Sequence, residues 1–178
     1  MGRPLTEEQW NALFDTYRYT ARRLEPRDRY NTGTGENRRL FLAGELSDYS
    51  FMDDWTSEVR ARSAQGKRMT RVRVVTEPLS DDARYLLDVA RINVAAGDEI
   101  RYLPRQRAQE LGLGLPDEDY WIFDATTVAV IHFDEDDRPV SHELIDDPAE
   151  IVQRLHWFDA AWHYSVSREE FAAKHGID

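Results

Sequence analysis

The sequence contains no cysteine, only two lysines, and no apolar run that approaches the length of a membrane-spanning helix. Without cysteine the chain can form no disulfide, no thiolate zinc site and no thiol nucleophile. A membrane-spanning helix needs about 20 apolar residues, so none is predicted, and no signal-peptide stretch follows Pro4. These absences favour a cytoplasmic protein without membrane contact.

Charge is abundant, and the acidic residues are unevenly distributed. The 178 residues include 23 basic and 34 acidic side chains, for a net charge of −11. Residues 1–109 hold 19 basic and 17 acidic side chains, whereas residues 110–178 hold 4 and 17, a net of −13. Because like charges repel, we expect no direct binding of nucleic acid, and we expect arginines of the first half to pair within the molecule with the acidic second half. The acidic half favours a basic protein partner or a solubilising surface, and both alternatives stay open.

Length and composition predict one folded domain over residues 1–178. Hydrophobic residues make up 41% and aromatic residues 11% of the chain, which is too much for a disordered protein. Residues 72–103 show the spacing of a strand-helix-strand unit, and the segment after Pro116 alternates like antiparallel strands. We therefore predict a mixed α/β (α+β) domain, in which helices flank a mixed sheet of five to seven strands with antiparallel C-terminal strands.

The first quarter of the chain indicates its secondary structure less clearly than the rest of the sequence. Apolar residues recur every three or four positions over residues 5–24, which predicts one amphipathic helix. The polar residues 25–37 predict a loop, and residues 40–43 predict a short strand.

No complete catalytic motif is present. The sequence lacks Gly-x-Ser-x-Gly and His-Glu-x-x-His, and His156 and His163, seven residues apart, indicate an aromatic helix surface more than a metal pair. We therefore predict no catalytic residue, no metal and no cofactor.

An acidic cluster supports one enzymatic alternative. Asp117, Asp119 and Asp124 flank a hydrophobic strand that would hold their carboxylates in place, and such oxygens suit Mg²⁺ or Ca²⁺. With Arg73 or Arg101 orienting a phosphate, they would form a metal-dependent phosphodiesterase or nuclease-like hydrolase. A third alternative is a small-molecule sensor with an aromatic pocket around Trp55, Tyr102 or Trp121.

Four segments, taken in order, resemble an actinobacterial family of unknown function whose genes often accompany helix-turn-helix regulators. The segments are Leu24-Glu25-x-Arg27-Asp28-x-Tyr30, Arg71-Val72-Arg73-Val74-Val75-x-Glu77-Pro78, Asn93-x3-Gly97-x-Glu99-Ile100-Arg101 and Asp119-Tyr120-Trp121-Ile122-Phe123-Asp124. The resemblance implies a helix-turn-helix regulator as partner, and it implies no particular chemistry.

The order of elements is also similar to one half of the phospholipase D-like fold, whose motif is His-x-Lys-x4-Asp. If Asp124 takes the place of the motif's aspartate, Asp119 falls at the lysine and Asp117 at the histidine. Carboxylates at both positions would repel a phosphate and supply no imidazole nucleophile. This resemblance therefore implies a degenerate site, a pseudoenzyme.

The sequence as a whole favours a non-catalytic regulatory or protein-interaction module that partners a DNA-binding transcription regulator. The hydrolase and the sensor are the alternatives, and a homodimer stays open. The candidate pocket or ligand-binding residues are Arg73, Arg101, Asp117, Asp119, Trp121 and Asp124. A candidate loop site consists of Glu25, Arg27, Asp28 and Tyr30.

Overall fold

One mixed sheet of eight strands organises residues 2–177, the part that the computed structural model describes. The strands are β1 (Arg3–Leu5), β2 (Thr20–Glu25), β3 (Arg68–Val75), β4 (Glu99–Pro104), β5 (Asp119–Phe123), β6 (Thr127–Phe133), β7 (Pro139–Ile145) and β8 (Val166–Ser167). Their order across the sheet is β1-β7-β6-β5-β2-β3-β4-β8. The central strands β2, β3 and β4 are parallel, and every other neighbouring pair is antiparallel.

Seven α-helices cover this sheet within the described residues. They are α1 (Glu7–Thr16), α2 (Gly35–Leu42), α3 (Asp53–Ala64), α4 (Asp81–Ala96), α5 (Arg105–Glu110), α6 (Pro148–Tyr164) and α7 (Arg168–His175), with a 3₁₀ turn at Ser50–Met52. Ser80 and Asp147 accept backbone N–H bonds at the starts of α4 and α6, as capping residues do. Within this part of the chain, no helix is long and apolar enough to cross a membrane.

A glycine is required where α4 turns into β4. Gly97 has a φ of 113°, in the left-handed region. A Cβ atom at this position would lie 2.9 Å from the Ser63 hydroxyl of α3. Gly97 therefore ends α4 and also allows α3 and α4 to approach each other above the sheet.

The two faces of the sheet are covered by different helices. Val72 and Val74 point to one face, where they pack in a core with Phe158 of α6. The alternate residues Arg71 and Arg73 point to the other face, which α1, α3, α4 and α7 cover. The predicted fold class, with its parallel strand-helix-strand unit β3-α4-β4 and antiparallel C-terminal strands, is confirmed.

The prediction of a single helix over residues 5–24 is wrong. Helix α1 ends at Thr16, and Thr20–Glu25 is a central strand. Ala21 and Leu24 are both fully buried, but they lie in cores on opposite faces of the sheet. A strand covered on both faces has no solvent-facing side and need not alternate between polar and apolar residues, so Ala21 and Leu24 continued the helical spacing by coincidence.

The short strand predicted at residues 40–43 is also wrong, and the loop predicted up to residue 37 ends sooner. Residues 35–42 form α2, whose Phe41 packs beside Tyr85 of α4 at 5.8 Å between ring centroids. A short apolar run does not distinguish a strand from one side of a helix. The sheet also has more strands than predicted, because β1 and β8, of three and two residues, are too short to show a pattern.

Candidate functional site

Charged side chains from the central strands form a buried network on the face that α1, α3 and α4 cover. Arg23 donates two hydrogen bonds to Asp119, at 2.9 and 3.2 Å, and its third nitrogen lies 3.0 Å from Glu25. Glu25 also accepts a hydrogen bond from Arg73 at 3.2 Å and lies 3.8 Å from Arg71. Three guanidinium groups thus surround one carboxylate.

Two more contacts complete the network. Arg71 forms an ion pair with Asp98 at 2.5 Å, and the Tyr30 hydroxyl donates to Asp119 at 2.7 Å. Burying a charge is costly unless it is paired, and here three arginines are matched by three carboxylates. The network is therefore electrically balanced when all six groups are charged.

The environment separates the pKa values of the carboxyl groups. Burial raises the pKa of Glu25, but Arg23, Arg73 and Arg71 outweigh this effect and lower it to about 2. Burial raises the pKa of Asp98, and Arg71 only partly opposes the shift. The pKa of Asp119 is raised by burial in the same way, against the opposing effect of Arg23. Glu25 is thus the most firmly ionised of the three, and Asp98 and Asp119 take up protons more readily.

A cavity of about 410 Å³ lies over this network. Its floor is polar and is formed by Arg23, Glu25, Tyr30, Arg71, Arg73 and Asn93. Its walls are largely apolar and include Trp10, Phe51, Trp55, Leu86, Val89 and Phe133. Apolar walls with a few convergent polar groups, in a cavity of this size, are typical of small-molecule binding sites.

Three polar side chains at this cavity have unused hydrogen-bonding capacity. Arg71, Tyr85 and Asn93 are 5%, 4% and 4% exposed, respectively. Arg71 Nε, the Tyr85 hydroxyl and Asn93 Oδ1 are buried and have no hydrogen-bond partner between residues 2 and 177. Buried polar atoms are nearly always hydrogen-bonded, so three unpartnered ones at the same cavity indicate a place for a ligand.

The structure brings together about half of the residues predicted as sites. Arg73 and Asp119 belong to the network, and Trp121 lies on the same face, in a groove beside the cavity. From the candidate loop site, Glu25 and Tyr30 join the same network. Residues of the candidate pocket and residues of the candidate loop site thus lie in one network.

The other predicted loop residues anchor the loop. Arg27 is paired with Asp137, and Asp28 accepts hydrogen bonds from the backbone and hydroxyl of Thr76, at 2.8 and 2.6 Å. Among the predicted pocket aromatics, Trp55 lines the cavity, whereas Tyr102 stacks on Phe171 beneath α7. Arg27, Asp28 and Tyr102 therefore do not line the cavity.

Arg101, Asp117 and Asp124 lie away from the network. Arg101 is on the opposite face, where it binds Ser165 and lies over the Trp162 ring at 5.1 Å. Asp117 is exposed. Asp124 accepts three backbone N–H bonds of 2.7 to 2.9 Å from residues 18–20.

The carboxylates of the predicted metal site are therefore not brought together. Asp117 is exposed, Asp119 binds Arg23, and Asp124 caps a backbone turn. In the part of the chain that the structure describes, no group of three His, Asp or Glu side chains is placed to hold a metal ion. His156 and His163 are exposed on α6.

Asp124 is expected to contribute to stability rather than to ligand binding. Asp124→Ala removes three hydrogen bonds to a carboxylate, so we expect a loss of about 2 kcal/mol in the free energy of unfolding at neutral pH. Partial burial raises the pKa of Asp124, but the backbone N–H groups of Arg18, Thr20 and Tyr19 lower it overall. Its contribution is therefore present above the ordinary aspartate pKa and is lost as the pH falls through the lowered value. Urea unfolding at a series of pH values measures the contribution of Asp124 to stability. Glu135→Ala, at an exposed position, is the control. If Asp124→Ala and Glu135→Ala are equally stable at neutral pH, the expected contribution of Asp124 is contradicted.

Sequence reasoning missed Arg23, Arg71, Asn93 and Asp98. One signal was available, because Arg71 and Arg73 alternate with valines in a strand between two others, where both faces are covered. A second signal for the site was that Asn93 lies on the buried side of α4. Arginine and asparagine are mostly exposed in folded proteins, so neither residue type by itself indicated an interior position.

Comparison with solved structures shows which fold the chain shares. Nuc from Salmonella typhimurium, a phospholipase D family member, is similar with a TM-score of 0.53 and 11% identity, over 94% of this chain and 95% of that one. NucT from Helicobacter pylori has a TM-score of 0.48 and 11% identity, over 92% and 95% of the two chains. TrmBL2, an archaeal chromatin protein, has a TM-score of 0.44 and 13% identity, over 90% of this chain and 50% of that one. The likeness to Nuc confirms the predicted phospholipase D-like fold, and at this identity it shows the fold alone.

Comparison with families agrees with the resemblance found in the sequence. No curated protein matches the chain. A family model described as a domain of unknown function, DUF6879, matches residues 8–173. Since the match covers nearly the whole chain, the protein belongs to the DUF6879 family.

Proposed function

We propose that this protein is a ligand-binding module, a sensor that takes a small organic molecule into the cavity without changing it chemically. One observation carries the proposal: a cavity with apolar walls has Arg71 and Asn93 on its floor with buried atoms that no described residue binds. The apolar walls would supply binding free energy of about 25 cal/mol per Å² of covered surface. The polar floor would orient the ligand.

The imidazole at the cavity supports binding rather than catalysis. His142 stacks on Trp10 at 3.8 Å between ring centroids. Burial lowers the pKa of His142, so it is neutral at physiological pH. A catalytic histidine is held in one tautomer and orientation by a partner on its second ring nitrogen, and no carboxylate among the described residues is hydrogen-bonded to His142. The His142 ring, stacked on Trp10, is suited to being part of the aromatic wall of the cavity.

The predicted protein partner would convert ligand binding by such a sensor into a regulatory effect. If a helix-turn-helix regulator binds this domain, a ligand that prefers one conformation of the domain would change the regulator's affinity for it. The partnership stays a prediction, and the ligand-binding proposal does not depend on it.

Filling the cavity tests the proposal. Leu86 lines the cavity from α4 and is only half-buried, so Leu86→Trp adds bulk with little disturbance of the core. The matched control is Val152→Trp, on the exposed side of α6 across the sheet. In a fragment screen by ligand-observed NMR, we expect fragments to bind the native protein and Val152→Trp, and to bind Leu86→Trp at least about tenfold more weakly.

Two results would overturn the proposal. One is a screen in which no fragment binds the native protein. The other is equal binding to the native protein and to Leu86→Trp, which would place the fragments elsewhere. Amide spectra of the three proteins check that each variant keeps the native fold.

A further inference from the structure

We infer that the ligand is a small organic acid with a flat apolar body, whose carboxylate binds Arg71 while its body lies against the aromatic wall. This inference rests on the proposed function and specifies its ligand.

Arg71 differs from the two other arginines of the network. Arg23 is bound at both ends of its fork by Asp119, and Arg73 donates to Glu25. Arg71 Nη2 is held by Asp98 at 2.5 Å and Nη1 lies 3.8 Å from Glu25, whereas Nε is buried and has no partner among residues 2–177. A guanidinium with an unused Nε donor at a cavity is suited to binding a carboxylate oxygen.

Asn93 provides a second point of attachment. It lies on α4 and lines the same cavity, 4% exposed. Its unpartnered atom is Oδ1, which accepts a hydrogen bond and therefore suits an N–H or O–H group of the ligand rather than its carboxylate. Arg71 on the sheet would thus bind the acid group, and Asn93 on the helix would bind a donor group on the body of the same ligand.

The walls indicate the shape of the rest of the ligand. Trp55 from α3, Phe133 from β6 and Val89 from α4 border the cavity. Aromatic rings prefer to pack against other flat rings in offset or edge-on arrangements. An aromatic acid would bury its ring between these side chains and direct its carboxylate to the floor.

The network can accommodate an added negative charge by taking up a proton. Three arginines and three carboxylates are balanced without ligand, so an incoming anion leaves one negative charge in excess. Asp98 shares Arg71 with the ligand, and burial already raises the pKa of Asp98. The charged or titratable groups that act on Asp98 or respond to it are Arg71 and Arg73 on β3, Glu25 on β2 and Tyr17 after α1. Acid binding should therefore be accompanied by protonation of Asp98, and it should tighten as the pH falls.

Matched pairs of compounds test the ligand class. The probes are 1-naphthoate with 1-naphthamide, and indole-3-acetate with indole-3-acetamide, titrated by calorimetry and two-dimensional NMR. We expect the native protein to bind each acid at least about tenfold more tightly than its amide. Asp98→Asn removes the competing carboxylate, so it should bind the acids more tightly and lose the pH dependence.

Removing Arg71 alone would leave Asp98 buried without a partner, so the double variant Arg71→Met with Asp98→Asn is the sharper test. It removes one positive and one negative charge, and it should bind acid and amide equally. The exposed Arg68→Met is the control and should keep the preference for acids.

Each outcome decides the inference. It is overturned if the amides bind the native protein as tightly as the acids, if the double variant keeps the preference for acids, or if the acids fail while neutral fragments bind the cavity. These three results leave the proposed function standing. The proposed function itself fails only if no compound of either class and no fragment binds the native cavity.

Discussion

Replacing Glu25 by glutamine is expected to lower the free energy of unfolding by about 3–5 kcal/mol, the range for breaking a buried ion pair by removing one partner. Glu25 is 2% exposed and lies 3.0 Å from Arg23, 3.2 Å from Arg73 and 3.8 Å from Arg71. The neutral amide leaves three buried guanidinium groups with two carboxylates. The amide also presents N–H donors toward a guanidinium that has no lone pair to accept them.

Urea unfolding followed by circular dichroism measures this loss. Glu36→Gln is the control, because Glu36 pairs with Arg39 on the exposed surface of α2, and it should leave stability unchanged. The pKa of Glu25 is lowered to about 2, so its contribution is complete above the ordinary glutamate pKa and is lost as the pH falls toward that value. A Glu25→Gln protein as stable as Glu36→Gln at neutral pH would show that the network does not hold the sheet together.

Phe14→Ala is expected to have a comparable effect, a loss of about 3–5 kcal/mol, typical of removing a buried phenylalanine ring. Phe14 packs edge-on to four rings: Trp10 at 5.2 Å, Trp121 at 5.2 Å, Phe123 at 5.1 Å and Trp55 at 6.1 Å between centroids. Two of these rings, Trp10 and Trp55, also line the cavity. The substitution should therefore weaken ligand binding as well as stability.

Thermal and urea unfolding measure the stability change, and the fragments that bind the native protein measure the change in binding. Tyr19→Ala is the control, because Tyr19 is 65% exposed and outside the cavity, and it should affect neither quantity. If Phe14→Ala destabilises the protein but binds fragments with native affinity, the aromatic core does not support the cavity wall.

Most of the fold could be predicted because its signals are local. Ser80 and Gly97 delimit α4, and Asp147 with Pro148 begins α6, all within a few residues of the element that they define. The valines of β3 show the strand in the same way. Such signals depend on backbone geometry that a residue and its neighbours set on their own.

The failures occurred where distant parts of the chain decide the structure. Residues 20–25 become a strand because β3 and β5 pair with both sides of it, and those strands lie about 50 and 100 residues further on. Residues 35–42 become a helix that packs on α4, although none of its side chains is buried. The local propensities of these residues predict neither the strand pairing of residues 20–25 nor the packing of residues 35–42 as a helix on α4.

The site was only partly predictable for a related reason. Arg73, Asp119, Glu25 and Tyr30 were selected from sequence segments, but their contacts join strands far apart in the chain. The expectation that these arginines pair with the acidic second half is only partly correct: Arg23 pairs with Asp119, but Arg71 pairs with Asp98, an acidic residue of the first half. What the sequence did not show is that this pairing happens in the interior, where it lines a cavity.

The central claim is that the cavity over the buried network holds a small organic molecule. Its most direct test is to incubate the native protein and Leu86→Trp with a metabolite extract of the native host, wash both, denature them and identify the released compounds by mass spectrometry. We expect the native protein to release a small aromatic acid that Leu86→Trp does not retain. If both proteins release the same compounds, or the native protein releases none, the cavity is not a binding site.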